Sequence, residues 1–249
     1  MTGFAHEMNG SWHQWGQQPR EYIEALRRIS TAIHRGTSRT AMMWAPNFGG
    51  GYPFAGGPYH VQQGDPAFDD LDTDGDGLVA GTDDPYAPYW PGRRYVDWVG
   101  MSLYHWGNVY PWGENEVPEP HKFTDLLRGR YNGTAGDELA IPDFYQEYGA
   151  GLRLPVAVTE TGALHVEGRG GAGELAVKRV WWRQVFAPSN HRRLPWLKMV
   201  SWFEWRKDEP EVGGVVDWTA TRTKKVRTSF RKALPGCVRY ASGTDKPTR

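Results

Sequence analysis

Five short apolar runs, each closing on a cluster of polar and aromatic residues, constrain this chain more than any other feature of its sequence. They cover about residues 2–6, 40–44, 95–103, 154–159 and 197–202. Several are continuous rather than alternating, as expected of strands covered on both faces in a parallel sheet. Helical spacing falls between them. Residues 20–34 carry apolar side chains at 22, 23, 26, 29 and 33, and residues 173–186 and 221–234 follow the same period less regularly. Strands alternating with helices predict an α/β chain built on a parallel sheet. The clusters closing the runs are His6-Glu7-Met8-Asn9, Ala45-Pro46-Asn47, Tyr104-His105-Trp106, Glu160-Thr161-Gly162 and Glu204-Trp205-Arg206. Reactive side chains gathered at the C-terminal ends of successive strands are the layout of a (β/α) barrel mouth.

Length and charge narrow the function. At 249 residues the chain is long enough for one sizeable core, and 29 basic residues balance 29 acidic ones. A neutral balance gives no electrostatic pull toward nucleic acid or an anionic membrane, and neither is expected as a partner. No apolar run approaches the length of a membrane span. Cys237 is the only cysteine, so no internal disulfide can form. The 13 Trp, 12 Tyr and 9 Phe can fill a core, but many lie beside charged or amide residues, a pattern suited to stacking on sugar faces. Gly/Pro-rich connections over about 48–94 and 105–120 are too long for simple connectors and read as functional loops.

The stretch His6-Glu7-Met8-Asn9-Gly10-Ser11-Trp12-His13-Gln14-Trp15-Gly16 resembles the acid/base motif of glycoside hydrolase family 26, the β-mannanases and related endo-β-glucanases of a retaining TIM-barrel clan. Trp44-Ala45-Pro46-Asn47 is similar to the end of that family's fifth barrel strand. Residues 95–104 resemble its sixth strand, residues 155–162 the seventh, and Ser201-Trp202-Phe203-Glu204-Trp205 stand in the place of the eighth. The ordered matches imply a (β/α)8 TIM barrel of which this chain carries strands four to eight. Strands one to three, which precede the acid/base strand in the family, are expected to be missing. The resemblance further implies one catalytic domain over 1–240, with an insertion at about 65–90, followed by a polar tail at 241–249.

A retaining mechanism needs one carboxyl to protonate the departing oxygen and a second, about 5–5.5 Å away, to attack the anomeric carbon. The resemblance assigns these roles to Glu7 and Glu160 respectively. Burial and nearby negative charge are expected to raise the acid, while hydrogen bonds keep the nucleophile ionised. Tyr104 corresponds to the family's sixth-strand tyrosine, expected to donate to Glu160. His6 is expected to orient Glu7 or contact substrate, and Trp12 and Trp205 to serve as sugar platforms, with Trp15 and Trp106 as weaker ones. Alternation places Trp202 in the core and Trp205 in a different environment. His105 and Glu204 have no assigned role.

Residues 72–83 form a separate motif, a twelve-residue calcium loop. Asp72, Asp74 and Asp76 fall at positions one, three and five, Gly77 at six, the Leu78 carbonyl at seven and Asp83 at twelve. A register starting at Asp70 would put Gly81, which has no side chain to coordinate, at position twelve. A structural Ca2+ and no organic cofactor are therefore expected. The expected function is a monomeric, extracellular, retaining endo-β-glycosidase acting on β-mannan or mixed-linkage β-glucan. A carbohydrate-binding or inactive fragment of such an enzyme is the alternative.

Overall fold

The structure, a computed structural model, describes residues 2–136 and 139–240; the expected polar tail lies outside them. Five parallel strands run in chain order: β1 (Thr2–Gly3), β2 (Met42–Trp44), β3 (Trp98–Ser102), β4 (Val156–Thr161) and β5 (Leu197–Trp202). All five expected strands are present. The first is shorter than expected because Ala5 and Glu7 take positive φ of 45° and 55°, which end the extended backbone. Among the described residues the sheet does not close on itself.

Helices cover one face. α1 (Pro19–Gly36) connects β1 to β2, starting with proline in its first turn, and buries Tyr22, Leu26 and Ser30. The short α2 (Phe68–Leu71) follows β2, and α3 (Lys122–Leu127) and a π-helical turn at Tyr145–Ala150 lie between β3 and β4. α4 (Glu174–Val185) and the short α5 (Asn190–Arg193) lead into β5. Val99, Met101, Val156 and Val158 join Leu26, Phe123 and Trp181 in the main core. The opposite face carries a separate cluster of Met43, Ala45 and Ala157 with Trp98 and Met199. Strand residues two apart thus sort onto two faces, both apolar, as the continuous runs required.

After β5 the chain forms an antiparallel hairpin, β6 (Arg206–Glu209) and β7 (Gly214–Asp217), that the sequence pattern did not reveal, and then α6 (Lys224–Ala233). Phe230 of α6 packs on Trp182 and Trp202. Lys178 of α4, fully buried, reaches Glu174, the Thr219 carbonyl and Asp217 at the end of β7. Removing one member of a buried, paired set strands the others without water, so this group fixes the hairpin against α4.

One irregularity matters for the site. Met101 pairs with Val158, but the next residue, Ser102, pairs with Glu160. β4 therefore holds one extra residue, a β-bulge at Thr159. On the other side Val158 pairs with Val200 and Thr161 with Trp202, which is the same insertion seen from β5.

Candidate active site

Glu7 lies in the turn that follows β1. Its N–H donates to the Ala45 carbonyl and its carbonyl accepts from Gly10 N–H. Asn9, fully buried, makes a two-way amide pair with Asn47: Nδ2 donates to the Asn47 carbonyl, and its Oδ1 accepts from Asn47 N–H. The turn is thereby tied to the end of β2. Two glycines make its tight return possible, since a Cβ on Gly10 would strike the Trp12 ring and one on Gly16 the Gly10 carbonyl. Trp15 closes the loop by donating its indole N–H to the His6 carbonyl at 2.9 Å.

Around the Glu7 carboxylate this folding gathers donors. The Trp12 indole N–H donates to Oε2 at 2.9 Å, and His13 Nε2 lies 3.7 Å from the same oxygen. Burial alone would raise the carboxyl. The nearby His13 imidazole and the Trp12 indole N–H, with the charge His6 can carry, outweigh it and hold Glu7 below the ordinary glutamate value. This corrects the expectation of a raised acid: the free site favours the ionised form, because the neighbours of Glu7 are donors rather than carboxylates.

Glu160 stands at the bulged end of β4. The Tyr104 hydroxyl donates to its Oε2 at 2.7 Å, as the resemblance implied. Burial first, and then the Glu160 carboxylate, push the Tyr104 phenol well up, so Tyr104 stays protonated and remains the donor. His6 Nε2 lies 4.0 Å from Glu160 Oε1, while the His6 ring packs edge-on against His13 at 5.2 Å. The two glutamates, far apart in sequence, therefore meet around one imidazole pair.

The aromatic residues separate into two groups. Trp205 is 59 % exposed and stacks on Phe203, which in turn meets Tyr104 edge-on. Trp12 is 37 % exposed, with its indole N–H on Glu7. Trp15 stacks on His13, and Trp106 packs on Trp218 and Tyr104, so these two build the walls of the site. Trp202 packs inward and donates to the Trp218 carbonyl. His105 is buried and donates to the Glu116 carbonyl, and burial pulls it down to about 3, a neutral structural histidine. Glu204 accepts from Ala220 N–H and the Thr221 hydroxyl, a fastening of the segment before α6. His13 and Asn9 are site residues that the sequence reading had not assigned roles. The signal available for both was their place inside the His6–Gly16 motif.

The acidic loop folds as a compact set of Asx turns. Asp72 accepts from the N–H groups of Gly75, Asp76 and Gly77, and carboxylate oxygens of Asp72, Asp74 and Asp76 lie within 4.8 Å of one another. One Ca2+ with oxygen ligands at about 2.3–2.6 Å can span that separation. Asp83 stands outside this trio. It is buried, with one oxygen accepting from Thr73 N–H and the other from Ala80 N–H.

No family model and no curated protein matches the chain. Among solved structures, a Cellulomonas fimi endo-β-1,4-mannanase double mutant is 18 % identical with a TM-score of 0.49, over 93 % of this chain and 39 % of that one. The catalytic domain of a Bacillus glycoside hydrolase family 26 endo-β-1,4-mannanase is 16 % identical at a TM-score of 0.47, over 92 % of this chain and 48 % of that one. A fungal β-1,4-galactanase gives 12 %, 0.48, and 92 % against 60 %. The chain thus spans less than two thirds of the length of each of these proteins.

Proposed function

We propose that this chain carries the catalytic pair of a retaining endo-β-glycoside hydrolase, with Glu160 as nucleophile and Glu7 as acid/base. The observation that carries the reading is the phenol of Tyr104 on Glu160 at 2.7 Å, with His6, the neighbour of Glu7, 4.0 Å from the other Glu160 oxygen. In the double displacement, Glu160 Oε1, the oxygen not held by Tyr104, attacks the anomeric carbon while Glu7 gives its proton to the departing glycosidic oxygen. Glu7 then takes a proton from the water that releases the sugar from Glu160. Trp205 and Trp12 offer exposed ring faces for flanking sugars.

On this reading the five strands are strands four to eight of a (β/α)8 barrel, and the substrate is β-mannan or mixed-linkage β-glucan. A polymer of that size favours an extracellular enzyme, and the chain is proposed to act as a monomer. Among the described residues no helix is long and apolar enough to cross a membrane. The Asp72, Asp74 and Asp76 carboxylates and the Leu78 carbonyl would hold a structural Ca2+ that stiffens the loop between β2 and β3. Chelation is then expected to lower the melting temperature, and Asp76→Ala to abolish that response; an unchanged melt under chelator removes the ion from the account.

A second reading, a carbohydrate-binding chain without turnover, needs only the exposed rings of Trp205 and Trp12. Incubation of the purified chain with mannan, lichenan and laminarin separates the two. New reducing ends that vanish in Glu160→Ala support hydrolysis. Retention of the polymers without cleavage, equal in parent and variant, supports binding alone.

A further inference from the structure

The turn after β1 holds three ligand-type side chains, of which hydrolysis needs only one as a proton donor. Ring nitrogens of His6 and His13 and a carboxylate oxygen of Glu7 all lie within 4.8 Å of one another, with His13 Nε2 at 3.7 Å from Glu7 Oε2. Ligand atoms around a tetrahedral Zn2+ stand about 3.3 Å apart, given bonds of about 2.0–2.1 Å. Side-chain adjustments of roughly an ångström would close the set. The side chains are 45 %, 13 % and 29 % exposed for His6, Glu7 and His13, so an ion can reach them from solvent.

Neighbouring groups hold parts of this set in place. The Trp12 indole N–H holds the carboxylate, as outer-sphere donors hold ligating carboxylates. Trp15 supports both histidines, stacking on the His13 ring at 4.4 Å and donating to the His6 carbonyl. The Asn9–Asn47 amide pair anchors the backbone between them. Two imidazoles and one carboxylate suit a borderline cation such as Zn2+ and disfavour Ca2+ and Mg2+, which take oxygen ligands.

We propose that His6, Glu7 and His13 form a three-ligand site for Zn2+ or a similar first-row divalent cation, open at its fourth position. Occupancy removes the Glu7 carboxylate from proton transfer, so the ion is an inhibitor of the chain. The inhibition rests on the acid/base assignment of Glu7; the binding does not.

The test is calorimetric titration of the full chain with Zn2+ in excess Ca2+, which keeps the Asp72 loop out of the measurement. One equivalent is expected to bind, with affinity falling at least about tenfold in His6→Gln and in His13→Gln, as even outer-sphere losses commonly cost that much. Metal-free melting curves identify any variant that has lost its fold. Titration of the parent with Cu2+, read by electron paramagnetic resonance for two nitrogen ligands, gives the same answer without substitution. Absence of saturable binding, undiminished affinity in the folded glutamine variants, or a Cu2+ spectrum without nitrogen overturns the proposal. If the chain proves to hydrolyse no glycan yet binds Zn2+ through these residues, the glycosidase reading falls and the metal site stands.

Discussion

Glu160 is carried on a strand paired on both sides and meets one phenol, whereas Glu7 hangs from a turn beside an indole and two imidazoles. The first environment depends on sheet register. The second depends on loop packing, through the Asn9–Asn47 pair and the Trp15 closure. The two carboxylates are thus held by unlike means, and neighbouring polar groups rather than burial decide the ionisation of Glu7. On the proposed reading substrate would have to help: excluding water from the mouth and bringing Glu7 closer to Glu160 would both favour the protonated form.

Substitutions can break this contrast one side at a time. The largest effect is expected for Glu160→Ala, with kcat on the responsive glycan falling by about four orders of magnitude or more, as for loss of other covalent nucleophiles; steady-state reducing-end assays measure it. Tyr104→Phe removes one hydrogen bond to a charged group, which is worth about 1.5–3 kcal/mol, or roughly ten- to a hundredfold if the bond persists in the transition state. Its KM should move little.

The Glu7 side predicts displaced pH profiles. Hydrogen bonds to the ionised form lower the Glu7 pKa, so the alkaline limb of kcat/KM, which follows loss of the acid's proton, should lie at acidic pH. His13→Ala removes the imidazole nitrogen 3.7 Å from Glu7 Oε2, the pKa rises, and the limb moves to higher pH. A limb that stays in place or moves lower would refute the donor account. Trp12→Phe removes a weaker contribution and should shift the limb in the same direction by less, with a rise in KM if the ring also meets sugar.

Strands β2 to β4 were legible because their apolar runs are long enough to require burial on both faces, whereas β5 leaves Lys198 and Ser201 exposed, and the pairing of Glu160 with Tyr104 came from the family resemblance rather than from any pattern in the residues. The hairpin was not. Its first strand reads Arg206-Lys207-Asp208-Glu209, with no apolar alternation, and pairing rather than burial makes it a strand. The Glu7 environment was hidden because His13 reaches the carboxylate only after the chain doubles back over Gly10 and Gly16. Asp83 fits the spacing of a ligand, yet its carboxylate serves the N–H groups of Thr73 and Ala80. Spacing identifies which oxygens are available, while backbone geometry decides what they accept.

The extra residue in β4 has a consequence for how the site could be lost. Thr159 lies against Gly100, on the side of the sheet that carries Met43 and Ala45. If Thr159 were deleted, Glu160 would inherit that position and its carboxylate would swing beneath the mouth into apolar surroundings, every other side chain being retained. The site is therefore more vulnerable to a change in reading length than to most changes in spelling: a single lost codon re-aims Glu160, whereas many single substitutions around it would leave its carboxylate at the mouth.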